Sequence, residues 1–80
     1  MNVTDFKPQT TTVVNNRNGS FKLHIGKISG SNIVGHYYSY STNTLNVFTG
    51  CLVRGEFRFL NDYAVIDSPS LKAIREKLLA

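Results

Sequence analysis

The sequence has few residues that could cross-link or staple a fold. Its 80 residues include one cysteine, Cys51, two histidines, two prolines and no tryptophan. One thiol cannot form a disulfide within the chain, and two histidines fall short of the four ligands of a structural zinc site. A chain of this length buries only about 60–65% of its unfolded surface. Its stability must therefore come from a sheet and a helix, or from association with another chain.

Long apolar runs are also absent. No stretch approaches the roughly 18 apolar residues of a membrane span, so we expect no membrane partner. The N-terminal residues lack the basic start and apolar stretch of a secretory signal. Together with an intact Met1 and the single Cys51, these features predict a cytoplasmic protein.

The residues that could carry chemistry form no recognisable motif. Cys51 shares strand parity with Leu45 and Val47, which favours a small buried hydrophobe over a nucleophile. The five carboxylates are dispersed, and the glycines do not precede a helix as they do in a phosphate-binding loop. We therefore expect a protein that is not an enzyme and that has no catalytic residue, cofactor or bound metal.

What the chain does carry is the pattern of a β-sheet. Residues 33–60 form three β-rich runs, separated by a polar turn and by Arg54-Gly55, which is typical of an antiparallel meander. Upstream, residues 9–14 are rich in β-branched side chains, and Phe21, Leu23 and Ile25 alternate with polar residues.

The last part of the sheet alternates as well. Phe57 and Phe59 are predicted to point inward, with Glu56 and Arg58 outward. Asn61-Asp62 then predicts a two-residue turn. A short sixth strand is expected to follow it, over Tyr63–Ile66.

Several glycines and turn residues shape the predicted sheet. Asn18-Gly19 indicates either a type I′ hairpin or a longer loop with Gly19 in the left-handed region. Gly26 shifts the alternation of its strand and predicts a β-bulge. Gly35 and Gly50 lie within strands, where glycine permits strong coiling or the close approach of a large neighbour.

Residues 67–70 open a C-terminal helix, with Ser68 as the cap and Pro69 at the first helical position. The helix is predicted over residues 68–79. Its apolar stripe should dock on the sheet, because so short a helix is unstable alone. The stripe consists of Leu71, Ile74, Leu78 and Leu79.

The predicted fold class is therefore α+β, mostly β, in a single domain over residues 1–80. Residues 1–8 are expected to form a flexible arm that Val3 or Phe6 anchors. Residues 9–66 should form a coiled antiparallel meander of about six short strands, either open or closed into a small barrel. One amphipathic helix completes the domain.

A tyrosine cluster is the feature least explained by folding alone. Tyr37, Tyr38 and Tyr40 fall within four residues, and parity places Tyr38 and Tyr40 on one face with His36. Tyrosine is enriched at interfaces because it offers a large area with a polar tip. The alternative is that these rings fill the core. His24 and His36 are expected at surface or half-buried positions and would face each other if their strands pair.

Two functions follow from these features. The first is a small protein-interaction module that binds a partner, or a second copy of itself, through the tyrosine-bearing face. The alternative is a small nucleic-acid-binding protein, because nine Lys and Arg oppose five Asp and Glu, for a net charge of +4. Both functions use the same predicted binding residues, provided that their strands show one face. These residues are Lys22, His24, His36, Tyr38, Tyr40 and Arg58.

Overall fold

The computed structural model describes residues 2–66 and 68–80. Five antiparallel strands lie side by side in chain order in a single sheet, and one helix follows them. Short 3-10 turns occupy Val3–Asp5 and Pro69–Leu71. The predicted fold class, a mostly β antiparallel meander with one C-terminal helix, is confirmed. The elements are β1 (Thr11–Asn16), β2 (Gly19–Ser29), β3 (Asn32–Ser39), β4 (Thr44–Val53), β5 (Glu56–Ala64) and α1 (Lys72–Leu79).

The prediction of a turn at Asn61-Asp62 is wrong, and the predicted sixth strand therefore does not form as a separate strand. Both residues lie inside β5, where Asn61 is paired with Thr49. Phe59 is paired with the next residue of β4, Gly50, so Leu60 is one extra residue on β5. The extra residue makes a β-bulge, which bends a strand without ending it.

The sheet curls but does not close into a barrel, so the open form of the predicted meander is the one observed. Its edge strands, β1 and β5, meet at one end, where Asn16 Nδ2 donates to the carbonyl oxygen of Phe57 at 3.3 Å. Beside this contact, Arg17 Nε lies 3.8 Å from Glu56 Oε1. β1 and β5 run in the same direction, and the last residue of β1 meets the second residue of β5. The rest of β5 therefore extends beyond the end of β1.

The hairpin turns follow from backbone conformations at a few positions. A tight turn is predicted at Arg54-Gly55, and the structure has one: both residues have positive φ, 54° and 78°, as a type I′ turn requires. The type I′ turn at Asn18-Gly19 is wrong, because Gly19 is already paired with Asn16 and alone in that loop has positive φ, 128°. The positive φ of Gly19 agrees with the predicted alternative, but the longer loop of that alternative is wrong, because only Arg17 and Asn18 lie between the paired residues Asn16 and Gly19.

The other glycine predictions are confirmed. The pairing of β2 with β3 shifts register between Ile25 and Lys27, which makes Gly26 the bulge. A Cβ on Gly35 would press on the His24 carbonyl group and lie 3.1 Å from a ring carbon of Phe48. A Cβ on Gly50 would lie 2.8 Å from the Arg58 carbonyl oxygen and would overlap the ring of Phe57. The missing side chains thus let aromatic rings lie directly on the sheet.

One face of the curled sheet, hereafter the inner face, encloses the core. Phe48 and Phe57 are fully buried at its centre and pack edge to face, with ring centroids 5.7 Å apart. Phe6 is buried against Phe57, so it anchors the N-terminal segment as predicted. All the residues predicted to point inward belong to this core or pack against it. They are Phe21, Leu23, Ile25, Phe57 and Phe59.

The opposite, outer face is covered in part by α1, which packs across β2 and β3. Leu78 of α1 is buried on the side of the helix that faces the sheet, whereas Leu79 at the end of the helix is exposed. Ser68 has the extended backbone of a cap residue, but its Oγ bonds to Ser70 Oγ at 2.9 Å and not to the helix backbone. Pro69 occupies the first turn as predicted.

Two residues of these predictions, Met1 of the arm and Asp67 before the helix, lie outside the described residues. Across the part of the chain that is described, no helix has the length and apolar character needed to cross a membrane.

Candidate functional site

The strand register brings four of the six predicted binding residues together. His24 of β2 is paired directly with His36 of β3. Lys22 and Tyr38 each lie two residues from one of these histidines, so all four belong to the outer face. Tyr40 follows the end of β3, and its ring packs on that of Tyr38 with centroids 5.1 Å apart. Five of the six residues thus form one neighbourhood.

Arg58, the sixth predicted residue, lies elsewhere. It is paired with Cys51 of β4, which in turn is paired with Asn32 at the far end of β3. Tyr38 lies six residues along β3 from Asn32, or about 20 Å. Arg58 Nε lies 3.6 Å from Glu56 Oε1. Arg58 therefore does not share a contact area with the tyrosines.

The two histidines lie under the helix and do not form a binding surface of their own. His36 is half-buried, as expected, but His24 is only 1% exposed, because α1 covers a face that strand parity alone leaves open. The Nδ1 atoms of both are buried and have no hydrogen-bond partner among the described residues. Burial lowers the pKa of both imidazoles, and for His24 the charges of Lys77 and His36 lower the pKa further. Both rings are therefore favoured in the neutral form.

We expect acid to weaken the fold through this pair. Because the folded-state pKa values lie below the ordinary value of 6.5, the unfolded chain takes up protons first as the pH falls. Stability should be level above about pH 6.5 and should decrease below it. Urea unfolding between pH 7 and pH 5 measures this slope. A His24→Gln, His36→Gln double variant should have a flatter profile, and an unchanged slope would show that other groups carry the pH dependence.

The described residues hold no cluster of three or more His, Cys, Asp or Glu side chains that could bind a metal ion. The positive charge of Lys77 acts on His24 and opposes a metal cation there. Cys51 is a free thiol in a half-buried position. It lies on β4, where it is paired with Arg58 on one side and with Asn32 on the other.

An open cleft of about 430 Å³ lies beside the tyrosine pair, where β2, β3 and the end of α1 meet. We call it the tyrosine cleft. Tyr40 stands at its rim with 69% of its surface exposed. Lys22 Nζ donates to the backbone oxygen of Ala80 at 2.9 Å, which fastens the end of the helix to β2. Leu78 supplies apolar surface, and Ser39 and Ser41 supply hydroxyl groups.

Tyr37 differs from its two neighbours because it belongs mainly to the core. Its ring packs against Phe48 and Phe59 on the inner face. Its hydroxyl group donates to the carboxylate of Asp62. Burial, followed by this carboxylate, raises the pKa of Tyr37 to about 12. Core filling therefore explains Tyr37, whereas Tyr40 remains unexplained by folding.

A second exposed apolar region was not anticipated from the sequence. Leu60, Tyr63 and Ile66 are 57%, 65% and 92% exposed, along and just beyond the second half of β5. In the prediction from sequence, Leu60 belongs to one strand and Tyr63 and Ile66 to the next, so the three side chains are not placed on one exposed strand. The available signal was that no further strand-forming segment follows them, which leaves this strand at an edge.

Two candidate surfaces are thus present. One is the tyrosine cleft beside β2 and β3 on the outer face, and the other is the exposed apolar part of β5, which β4 separates from β3. Comparison with known proteins gives no relative, since no family model, no curated protein and no solved structure matches the chain. The function is therefore inferred from the geometry of these two surfaces.

Proposed function

We propose that the chain is a small non-enzymatic protein-interaction module and that its tyrosine cleft contacts a protein partner. The observation that carries this proposal is the exposure of Tyr40. The residue is 69% exposed although its ring packs edge to face on Tyr38 beside an open cleft. Tyr38 is half-buried and supports the exposed ring of Tyr40, and such an aromatic pair offers a large, rigid area at a low cost in side-chain entropy.

The chemistry of the cleft fits a partner surface of mixed character. Its aromatic and aliphatic walls, which include Tyr38 and Leu78, suit an inserted apolar side chain. The hydroxyl groups of Tyr40, Ser39 and Ser41 can bond to peptide groups around it. Such an apolar centre with a polar rim is the usual arrangement of a protein–protein contact.

The distribution of charge favours a protein partner over nucleic acid. A nucleic-acid site would need cations beside the stacking rings. Among the described residues that line the cleft, Lys22 is the one cation, and its ammonium group is bonded to Ala80. Arg58 lies about 20 Å away along the sheet. The net charge of +4 is the observation that supports the nucleic-acid alternative.

We also propose that the protein works in the cytoplasm. The support for this location is Cys51, the single cysteine, which is a free thiol in the structure. Secreted domains of this size commonly depend on disulfides, which one cysteine cannot supply within the chain.

Affinity capture from an extract of the native cells, with and without nuclease, tests the proposed function. We expect a captured protein whose retention nuclease does not change. Tyr40→Ala should weaken capture about tenfold or more, as truncation of an interface hot spot does. Tyr40→Phe, which keeps the ring, should retain most of the binding. Val13→Ala, at an exposed position on β1, should have no effect.

The opposite results would point to the alternative. Capture that nuclease abolishes, together with retention on a single-stranded DNA column that falls steeply with salt, would identify a nucleic-acid binder. Equal capture by Tyr40→Ala and by the unmodified chain would remove the tyrosine cleft as the contact surface.

A further inference from the structure

The second half of β5 is an uncovered sheet edge. β1, the other edge strand, is hydrogen-bonded to β5 at Phe57, near the start of β5, and residues 60–64 are all exposed. Leu60, Tyr63 and Ile66 present large apolar side chains within these residues and just after them. This region is separate from the tyrosine cleft, because β4 lies between β5 and β3.

The backbone of this edge has free hydrogen-bonding groups. Val65 N–H donates to the Leu45 carbonyl oxygen at 2.9 Å. In an antiparallel pair the N–H and C=O groups of successive residues point alternately toward and away from the neighbouring strand. Val65, Tyr63 and Asn61 therefore direct their N–H and C=O groups toward β4. Asp62 and Ala64 then direct their N–H and C=O groups outward. None of these four outward groups has a partner within residues 2–66 and 68–80.

The edge also lacks the features that usually prevent strand pairing. Residues 59–66 contain no lysine, arginine or proline, and Asp62 is their one charged residue. Its carboxylate is turned to the inner face, where it accepts the hydroxyl group of Tyr37. Natural edge strands normally carry outward charges, proline or a covering loop. A further strand could therefore add to β5 without meeting an outward charge.

We propose that this strand is β5 of a second copy of the chain. The two β5 strands pair antiparallel, and the two-fold axis passes between Tyr63 and the partner's Tyr63. In this register Asp62 is opposite the partner's Ala64, and Ala64 is opposite the partner's Asp62. Each chain contributes two outward N–H groups and two outward carbonyl groups. Together they form four hydrogen bonds across the axis. The two five-stranded sheets become one continuous sheet of ten strands.

The side chains of the edge are self-complementary in the same register. Tyr63 faces the partner's Tyr63 at a position without backbone hydrogen bonds, where cross-strand side chains are closest. Leu60 lies opposite the partner's Ile66, and Ile66 opposite the partner's Leu60. All three exposed apolar residues are thus matched. A patch that matches itself in this way forms a closed dimer and not a filament.

Two neighbouring registers are worse. Moving the two-fold axis to Asp62 would place two carboxylates directly opposite each other, which is destabilising. A shift by a single residue would place the outward backbone groups of one strand opposite residues whose groups point inward. The axis at Tyr63 avoids both problems.

Disulfide trapping tests this register directly. In a Cys51→Ser background, Tyr63→Cys should form a disulfide-linked dimer when oxidised glutathione is added as the two-electron oxidant. Directly opposed residues at such a position have Cα atoms about 4.5 Å apart, within the range that a disulfide spans. Asn61→Cys is the matched control, because Asn61 is also exposed but lies about 13 Å from its counterpart. Equal trapping of both variants, or no trapping of Tyr63→Cys, would overturn the proposal.

A proline substitution tests the hydrogen bonds without a cross-link. The N–H of Ala64 points away from β4, so Ala64→Pro should leave the monomer folded while it removes two of the four intermolecular bonds. Sedimentation equilibrium should give a dissociation constant at least about tenfold higher for Ala64→Pro. Ala64→Thr keeps the N–H and should dimerise like the unmodified chain. Dimers of equal affinity in all three proteins, or monomers throughout, would overturn the β5 pairing.

Discussion

Gly35→Ala is expected to cost about 3 kcal/mol or more of the free energy of unfolding, at the upper end of what overpacking costs. The added methyl group would press on the carbonyl oxygen of His24 and lie 3.1 Å from a ring carbon of Phe48. The first of these neighbours is backbone in a paired strand, which cannot move without breaking the pairing of β2 with β3. A domain of this size has only about 4–12 kcal/mol to lose.

The same substitution at Gly26 is the matched control. There a Cβ would lie 3.2 Å from the Val34 carbonyl oxygen, a tight distance that a small shift at the bulge can relieve. Urea unfolding followed by circular dichroism should therefore rank Gly26→Ala well above Gly35→Ala in stability. Equal midpoints for the two variants would contradict the close approach of β2, β3 and Phe48.

Phe57→Ala is the second large effect, with an expected loss of about 4 kcal/mol. Phe57 is fully buried, lies over Gly50 and packs against the rings of Phe48 and Phe59 at 5.7 and 5.0 Å. It also holds the N-terminal segment through Phe6. Its removal leaves a cavity that the surrounding paired strands cannot fill completely by collapse.

Phe21→Ala supplies the comparison for Phe57→Ala. Phe21 is an aromatic residue of the same inner face, but it is half-buried at the margin of the core, where it packs against Tyr37 and Phe59. We expect its loss to cost clearly less in the same urea titration. If Phe21→Ala cost as much as Phe57→Ala, Phe57 would not be the centre of the core.

Strand parity was enough to predict which residues share a face. It separated Tyr37 from Tyr38, and it placed Phe57 and Phe59 in the core. It also located the bulge at Gly26, because one glycine there reverses the alternation. These predictions succeed because side chains in a strand alternate strictly between two faces.

The errors arose where the outcome depended on tertiary contacts. Asn61-Asp62 has the composition of a turn, yet pairing with β4 continues through it and the irregularity is taken up by a bulge at Leu60. His24 is buried because a helix from the other end of the chain covers it. The distance of Arg58 from the tyrosines depends on the register of three strands, which composition does not determine.

The proposed site depends on a division of roles between two aromatic groups. The inner rings around Phe57 stabilise the fold, whereas Tyr38 and Tyr40 on the outer face are available for a partner. This division explains why a chain with so small a core can leave Tyr40 largely exposed.

Urea unfolding of a Tyr38→Ala, Tyr40→Ala double variant beside Phe57→Ala tests that division most directly. The double variant should lose only about 1 kcal/mol, which is the usual value of one aromatic pair, and it should lose partner capture while it remains folded. A double variant that unfolds, or that loses as much stability as Phe57→Ala, would show that these tyrosines belong to the core and would remove the proposed contact surface.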